Sequence, residues 1–128
     1  MQTTEKIAYR GKLFIVEWYF NERGSSPALN YYLNLSIERR VKLFKLICLL
    51  AENGKIFDVT KFRNEGDKIF AFKPQPDRFL CFFAAGRKVI ITNAFEKKSQ
   101  KFPAKEKSSA LKAQTDFENR TAKGVYYE

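Results

Sequence analysis

Residues 78–94 read Arg78-Phe79-Leu80-Cys81-Phe82-Phe83-Ala84-Ala85-Gly86-Arg87-Lys88-Val89-Ile90-Ile91-Thr92-Asn93-Ala94, and this stretch decides the fold. Arg78–Ala84 is a continuous apolar run after its first residue, the pattern of a central strand buried on both faces. Ala85-Gly86-Arg87 is a compact hairpin turn, and the β-branched Lys88–Ala94 is the returning strand. Upstream, Lys68–Lys73 alternates weakly and is broken by Pro74-Gln75-Pro76-Asp77, which makes it the third strand of an antiparallel meander. Before it, Phe57, Val59 and Phe62 are strand-like and lead into a loop at Asn64-Glu65-Gly66-Asp67. Phe79, Phe82 and Phe83 belong in so apolar a run to the core and not to a base-stacking platform.

Toward the N-terminus the period becomes helical. Ser36 has the chemistry of an N-cap, and Ile37, Val41, Phe44, Ile47 with Cys48, and Ala51 follow at helical spacing. Arg39, Arg40, Lys42 and Lys45 take the polar positions, and Leu46, Leu49 and Leu50 widen the apolar face. Gly54 suits the left-handed position that ends such a helix. Ser26-Pro27 starts a shorter helix through Leu29, Tyr32 and Leu33, so the two read as a helical hairpin packed partly by Tyr31 and Tyr32. Earlier still, Leu13–Phe20 is a strand that ends at a run of turn formers, with Trp18 or Tyr19 in the core. It can join the sheet edge once the helical hairpin has crossed over.

Downstream of the meander, Pro103 opens a basic helix with a thin stripe of Ala104, Lys107, Ala110, Leu111, Gln114 and Phe117. Residues 119–128 carry little pattern apart from Tyr126 and Tyr127 and are expected to fray. The fold class is therefore α+β. An N-terminal strand and helical hairpin pack on a curved antiparallel sheet, and a basic helix closes a single domain over residues 1–128.

Composition narrows the function. The chain has 128 residues, enough for one core, and 24 Lys and Arg against 14 Asp and Glu give a net charge of +10. A field of that sign suits a polyanionic partner. The absence of histidine excludes imidazole catalysis and argues against zinc, and no set of residues that would hold a metal or other cofactor is legible. Cys48 and Cys81 both lie in apolar runs. Buried free thiols suit them best, although a bridge between the two is compatible with the sequence. No stretch approaches the roughly 20 apolar residues of a membrane span, so a soluble cytoplasmic protein without a membrane partner is expected.

Phosphate-cradling glycine loops and nucleophile motifs are missing. What stands out is a set of cations on and just after the meander: Lys68, Lys73, Arg78, Arg87, Lys88, Lys97, Lys98 and Lys101. One reading is a solvated basic face. The sharper one brings Lys73 and Arg78, which flank a strand turn, against Lys97 and Lys98 from the end of the next strand, around one phosphodiester.

The string Phe95-Glu96-Lys97-Lys98-Ser99-Gln100-Lys101-Phe102-Pro103 bears on that choice. It resembles the F-x-K-K-[ST]-Q-K-x-P signature of HigB-like toxins, a phage-derived branch of the RelE/ParE superfamily. Leu49-Leu50-Ala51-Glu52-Asn53-Gly54 is similar to the end of that branch's second helix. Ile69–Lys73 and Arg78–Phe83 stand where the family has an apolar-Glu-Leu-Arg and a Tyr-Arg-apolar strand. The likeness covers roughly residues 36–117 and implies a RelE-like sheet with catalysis on its concave face. It implies cleavage of messenger RNA on the ribosome, with contacts to 16S ribosomal RNA, and silencing by a helix-turn-helix antitoxin. Arg78, Lys73, Lys97 and Lys98 would then be catalytic, and Lys68, Arg87, Lys88, Lys101 and Lys105 would bind RNA. The same scaffold also carries ParE-like inhibition of DNA gyrase, and a non-catalytic basic binding module is the third reading. Ala71-Phe72 has no charge where many relatives carry one, and Lys73 replaces an arginine.

Overall fold

Along the central strand Phe79 and Cys81 face one layer of helix while Leu80 and Phe82 face the other, and this alternation organises the molecule. The computed structural model describes residues 5–127; residues 1–4 and Glu128, the last of those expected to fray, lie outside that range. The elements are β1 (Ile7–Arg10), β2 (Ile15–Trp18), α1 (Pro27–Leu33), α2 (Ile37–Asn53), β3 (Phe62–Gly66), β4 (Ile69–Phe72), β5 (Asp77–Ala84), β6 (Lys88–Glu96) and α3 (Ala104–Ala122). Six strands form one sheet in the order β1-β2-β6-β5-β4-β3. The helices α1 and α2 cover one face, around Trp18, Phe72, Phe79 and Ile91. On the other face α3 packs through Ala110, Ala113 and Phe117 against Leu80, Phe82 and Ile90.

The meander β4-β5-β6 is antiparallel as read, and Ala84 pairs with Lys88 across the Ala85-Gly86-Arg87 turn. The sheet as a whole is mixed, not antiparallel, because β2 runs parallel to β6 with Val16 opposite Val89. The expected strand Leu13–Phe20 shortens to β2, and a strand not expected from the sequence, β1, lies upstream of it and pairs with it antiparallel. Between them the chain folds against the end of α2. The amides of Leu13 and Phe14 both donate to the Ala51 carbonyl, at 2.8 and 3.1 Å. A Cβ at Gly11 would lie 2.5 Å from that carbonyl oxygen and from Ala51 Cβ. Neither can retreat, so Gly11→Ala is expected to cost about 1–3 kcal/mol through overpacking. A urea unfolding midpoint that falls at unchanged slope would register it.

Caps fall where the residues place them. The Ser26 and Ser36 side chains accept from the Leu29 and Arg39 amides, and Gly54 ends α2 at φ +80°. The buried face of α2 is a correction. It consists of Leu43 together with Leu46, Ile47, Leu50 and Ala51, the last four as read, while Val41 and Phe44 are partly exposed and Ile37 is 76% exposed. Two apolar stripes at helical spacing run side by side along this helix, and the sheet takes only one. The turn before β4 is likewise displaced. Phe57 and Val59 are exposed coil, Asn64–Gly66 belong to β3, and Asp67 and Lys68 make the turn, both at positive φ as a two-residue hairpin requires.

The C-terminal segment is ordered through the described residues. Tyr126 is 2% exposed, packs on Tyr19 and Phe117, and accepts a hydrogen bond from the Phe20 amide at 3.0 Å. Tyr127 donates to Glu17 at 2.8 Å and lies under the Lys88 ammonium. Two aromatic anchors therefore tie residues 126 and 127, within the segment expected to fray, to the body of the fold. Both Trp18 and Tyr19 are core, on opposite faces, whereas Phe83 is partly exposed. Cys48 and Cys81 are free thiols. Among the described residues no helix is long and apolar enough to cross a membrane.

Candidate active site

At this end of the sheet two main-chain bonds tie neighbouring strands, the end of β4 to the start of β3 and the end of β6 to the start of β5. The Lys73 amide donates to the Lys61 carbonyl at 2.7 Å, and the Lys97 amide donates to the Pro76 carbonyl at 2.9 Å. Arg78 follows the alternation of Leu80 and so faces the α3 side of the sheet. Its guanidinium is held by the Gln75 side chain at 3.2 Å and the Asp77 carbonyl at 3.0 Å, and the residue is 7% exposed. The Lys73 ammonium donates to the Val59 carbonyl at 3.2 Å.

The electrostatics tie these groups together. Burial pulls Lys73 below its ordinary value of 10.5, the positive charges of Arg78, Arg63 and Lys97 add to that, and Glu65 opposes it. Burial also lowers Arg78, against Glu65 and Asp77, but a guanidinium keeps its charge at neutral pH. Lys73 thus lies within the field of three other cations and one carboxylate, and that like charge disfavours its protonated form.

Behind the cluster, on the opposite face, the Asp77 carboxylate is buried and accepts from Tyr31 Oη at 2.6 Å and Arg39 Nε at 2.9 Å. Arg39 reaches Glu96 as well, at 3.4 Å. These bonds anchor α1 and α2 to the first residue of β5, and so hold the backbone from which Arg78 projects.

Of the residues singled out from the sequence, Lys73, Arg78 and Lys97 come together. Lys98 and Lys101 are exposed on the segment after β6, and Lys105 is exposed in the first turn of α3. Lys68 sits in the β3–β4 turn, beside Asp67, which pairs with Lys107 at 2.8 Å. Arg87 and Lys88 lie at the far end of the β5–β6 hairpin, about 20 Å along the strands from Arg78. There Arg87 bonds the Lys12 carbonyl and Lys88 pairs with Glu17 at 3.6 Å. Arg63 and Glu65 were missed. Their signal was the alternation of Phe62 and Asn64 with Arg63 and Glu65, hidden by turn-forming residue types.

The cluster makes a titration prediction. Lys73 is expected to lose its proton below 10.5, with a midpoint that moves back up in Arg78→Ala, read by NMR of its side-chain carbons. Because the folded value is the lower one, the contribution of Lys73 to stability is full above 10.5 and is lost as pH falls through the folded value. An unchanged midpoint in Arg78→Ala would show that the two charges do not sense each other.

Among the described residues no group of three or more Cys, Asp or Glu side chains comes together that could hold a metal ion. No curated protein matches the chain. A protein-family model does, over residues 30–115, which runs from α1 into α3 and takes in every member of the cation cluster. The chain belongs to the family of phage derived Gp49-like proteins (DUF891), a toxin-like family.

Proposed function

We propose that this protein is the toxin of a type II toxin–antitoxin pair and cuts messenger RNA on the ribosome. The observation that carries the reading is the convergence of Lys73, Arg78 and Lys97, with Arg63, on the α3 side of the sheet. The proposed reaction is attack of an RNA 2′-hydroxyl on the adjacent phosphorus. The O2′–P bond forms and the P–O5′ bond breaks, leaving a 2′,3′-cyclic phosphate and a 5′-hydroxyl. The phosphorane between them carries extra negative charge, which a preorganised guanidinium is suited to stabilise. Arg78 takes that role, and Lys97 and Arg63 add charge. Lys73 suits proton transfer, because burial and Arg78 lower its pKa. Lys98, Lys101 and Lys105 would attract the RNA backbone without reading sequence. A helix-turn-helix antitoxin would hold the toxin silent.

The test is a map of transcript 5′ ends in cell-free translation, with the purified protein added in the presence and absence of ribosomes. New ends within codons that need ribosomes support the nuclease. A folded protein that makes no new ends removes it, and the scaffold must then act by binding.

A further inference from the structure

Three features meet at β3. It is the last strand of the sheet and, among the described residues, pairs only with β4. The hydrogen bond from Lys73 to Lys61 sets the phase of that ladder, so Arg63 and Ala71 make the next bonded pair and the main chain of Asn64 points to the open edge. On the α2 side of this edge lies a groove of about 320 Å³ lined by Phe57, Phe62, Asn64, Phe70 and Phe83. Phe62 and Phe70 stack within it, Phe83 meets Phe70 edge-on, and Phe57 is 85% exposed. On the α3 side the same strand presents Arg63, within the field of Lys73.

We infer that β3 is a docking edge for an extended segment of a partner polypeptide in which apolar and acidic side chains alternate. Successive side chains of an added strand point to opposite faces. One set would fill the phenylalanine groove, and the other would neutralise the cation cluster. RNA does not fit as well, because a polyanion on the cluster leaves the groove on the other face uncovered. A second copy of this chain fits poorly too, since each copy carries a net charge of +10. That the occupant inhibits rests on the proposed function; that it binds does not.

The probe is a blocked octapeptide alternating phenylalanine and glutamate, titrated into the full chain by calorimetry and by amide NMR. Binding should shift the amides of β3 first. It should weaken about tenfold or more when alternate peptide amides are N-methylated, when glutamate becomes glutamine, and in Phe57→Ser. Phe57 is exposed coil, so that variant should fold, and Arg63→Glu gives a second readout from the opposite face. No binding, or binding indifferent to N-methylation, overturns the docking edge. Binding with these dependences, from a protein that cleaves no RNA, supports the docking edge while the nuclease reading falls.

Discussion

Phe79→Ala is expected to lower stability by about 3–5 kcal/mol, the usual range for truncating a fully buried aromatic residue. The ring has no solvent exposure and sits against Trp18, at 6.5 Å between centroids, and edge-on to Tyr31, at 5.6 Å. The cavity would open between the sheet and the helical layer, where Tyr31 also holds Asp77. Repacking is limited because Tyr31 cannot move in without giving up that hydrogen bond. Thermal unfolding should show a midpoint lower by roughly 10–20 °C. Phe83→Ala, on the same strand, is the comparison. That ring is 38% exposed, and about 1 kcal/mol is expected from its partial burial. Equal losses at the two positions would mean that burial along β5 is not what the packing implies.

This contrast also shows how the sequence could be read and where it failed. Signals local to a few residues were legible: Ser26-Pro27, Ser36 and Gly54 at helix ends, and the turn at Ala85–Arg87. The run Phe79–Phe82 was legible because a strand covered on both faces needs apolar residues on both. Pairings that depend on distant elements were not. Nothing within Ile15–Trp18 distinguishes a parallel from an antiparallel neighbour, and that choice follows from the path of the helices between β2 and β6. In α2, Ile37-Val41-Phe44 and Leu43-Ile47-Leu50 have equal claims by spacing, and only the sheet's position selects the second. The candidate site divides in the same way. Lys73, Arg78 and Lys97 flank breaks in adjacent strands of a meander, so their meeting follows from short-range topology. Arg87 and Lys88 share the basic composition but lie at the other end of the same hairpin. Arg63 and Glu65 needed the correct position of a turn, which was read two residues too early.

Arg78→Ala is expected to reduce cleavage of ribosome-bound message by about 10²–10³, the range for removing one preorganised charge from a developing anion. The effect belongs in the rate of a single turnover. RNA affinity should change little, because the other cluster cations and the exposed lysines supply most of the attraction to the backbone. Arg78→Lys should recover only part of the rate, since an ammonium cannot reproduce the planar two-point contact of a guanidinium. Arg78 is buried, so its removal has a structural side. Gln75 and the Asp77 carbonyl lose their donor, and a thermal scan must show that each variant remains folded at the assay temperature. Lys101→Ala and Lys105→Ala should behave in the opposite way. Both residues are exposed, and each substitution should lower the salt dependence of RNA binding by about one unit of slope while leaving the chemical step intact. A catalytic cluster and a diffuse basic face therefore separate on two axes, rate and salt slope. If Arg78→Ala lost no more activity than Lys105→Ala, and by the same change in slope, the cluster would be one part of an electrostatic surface, and the protein a binder of RNA and not its nuclease.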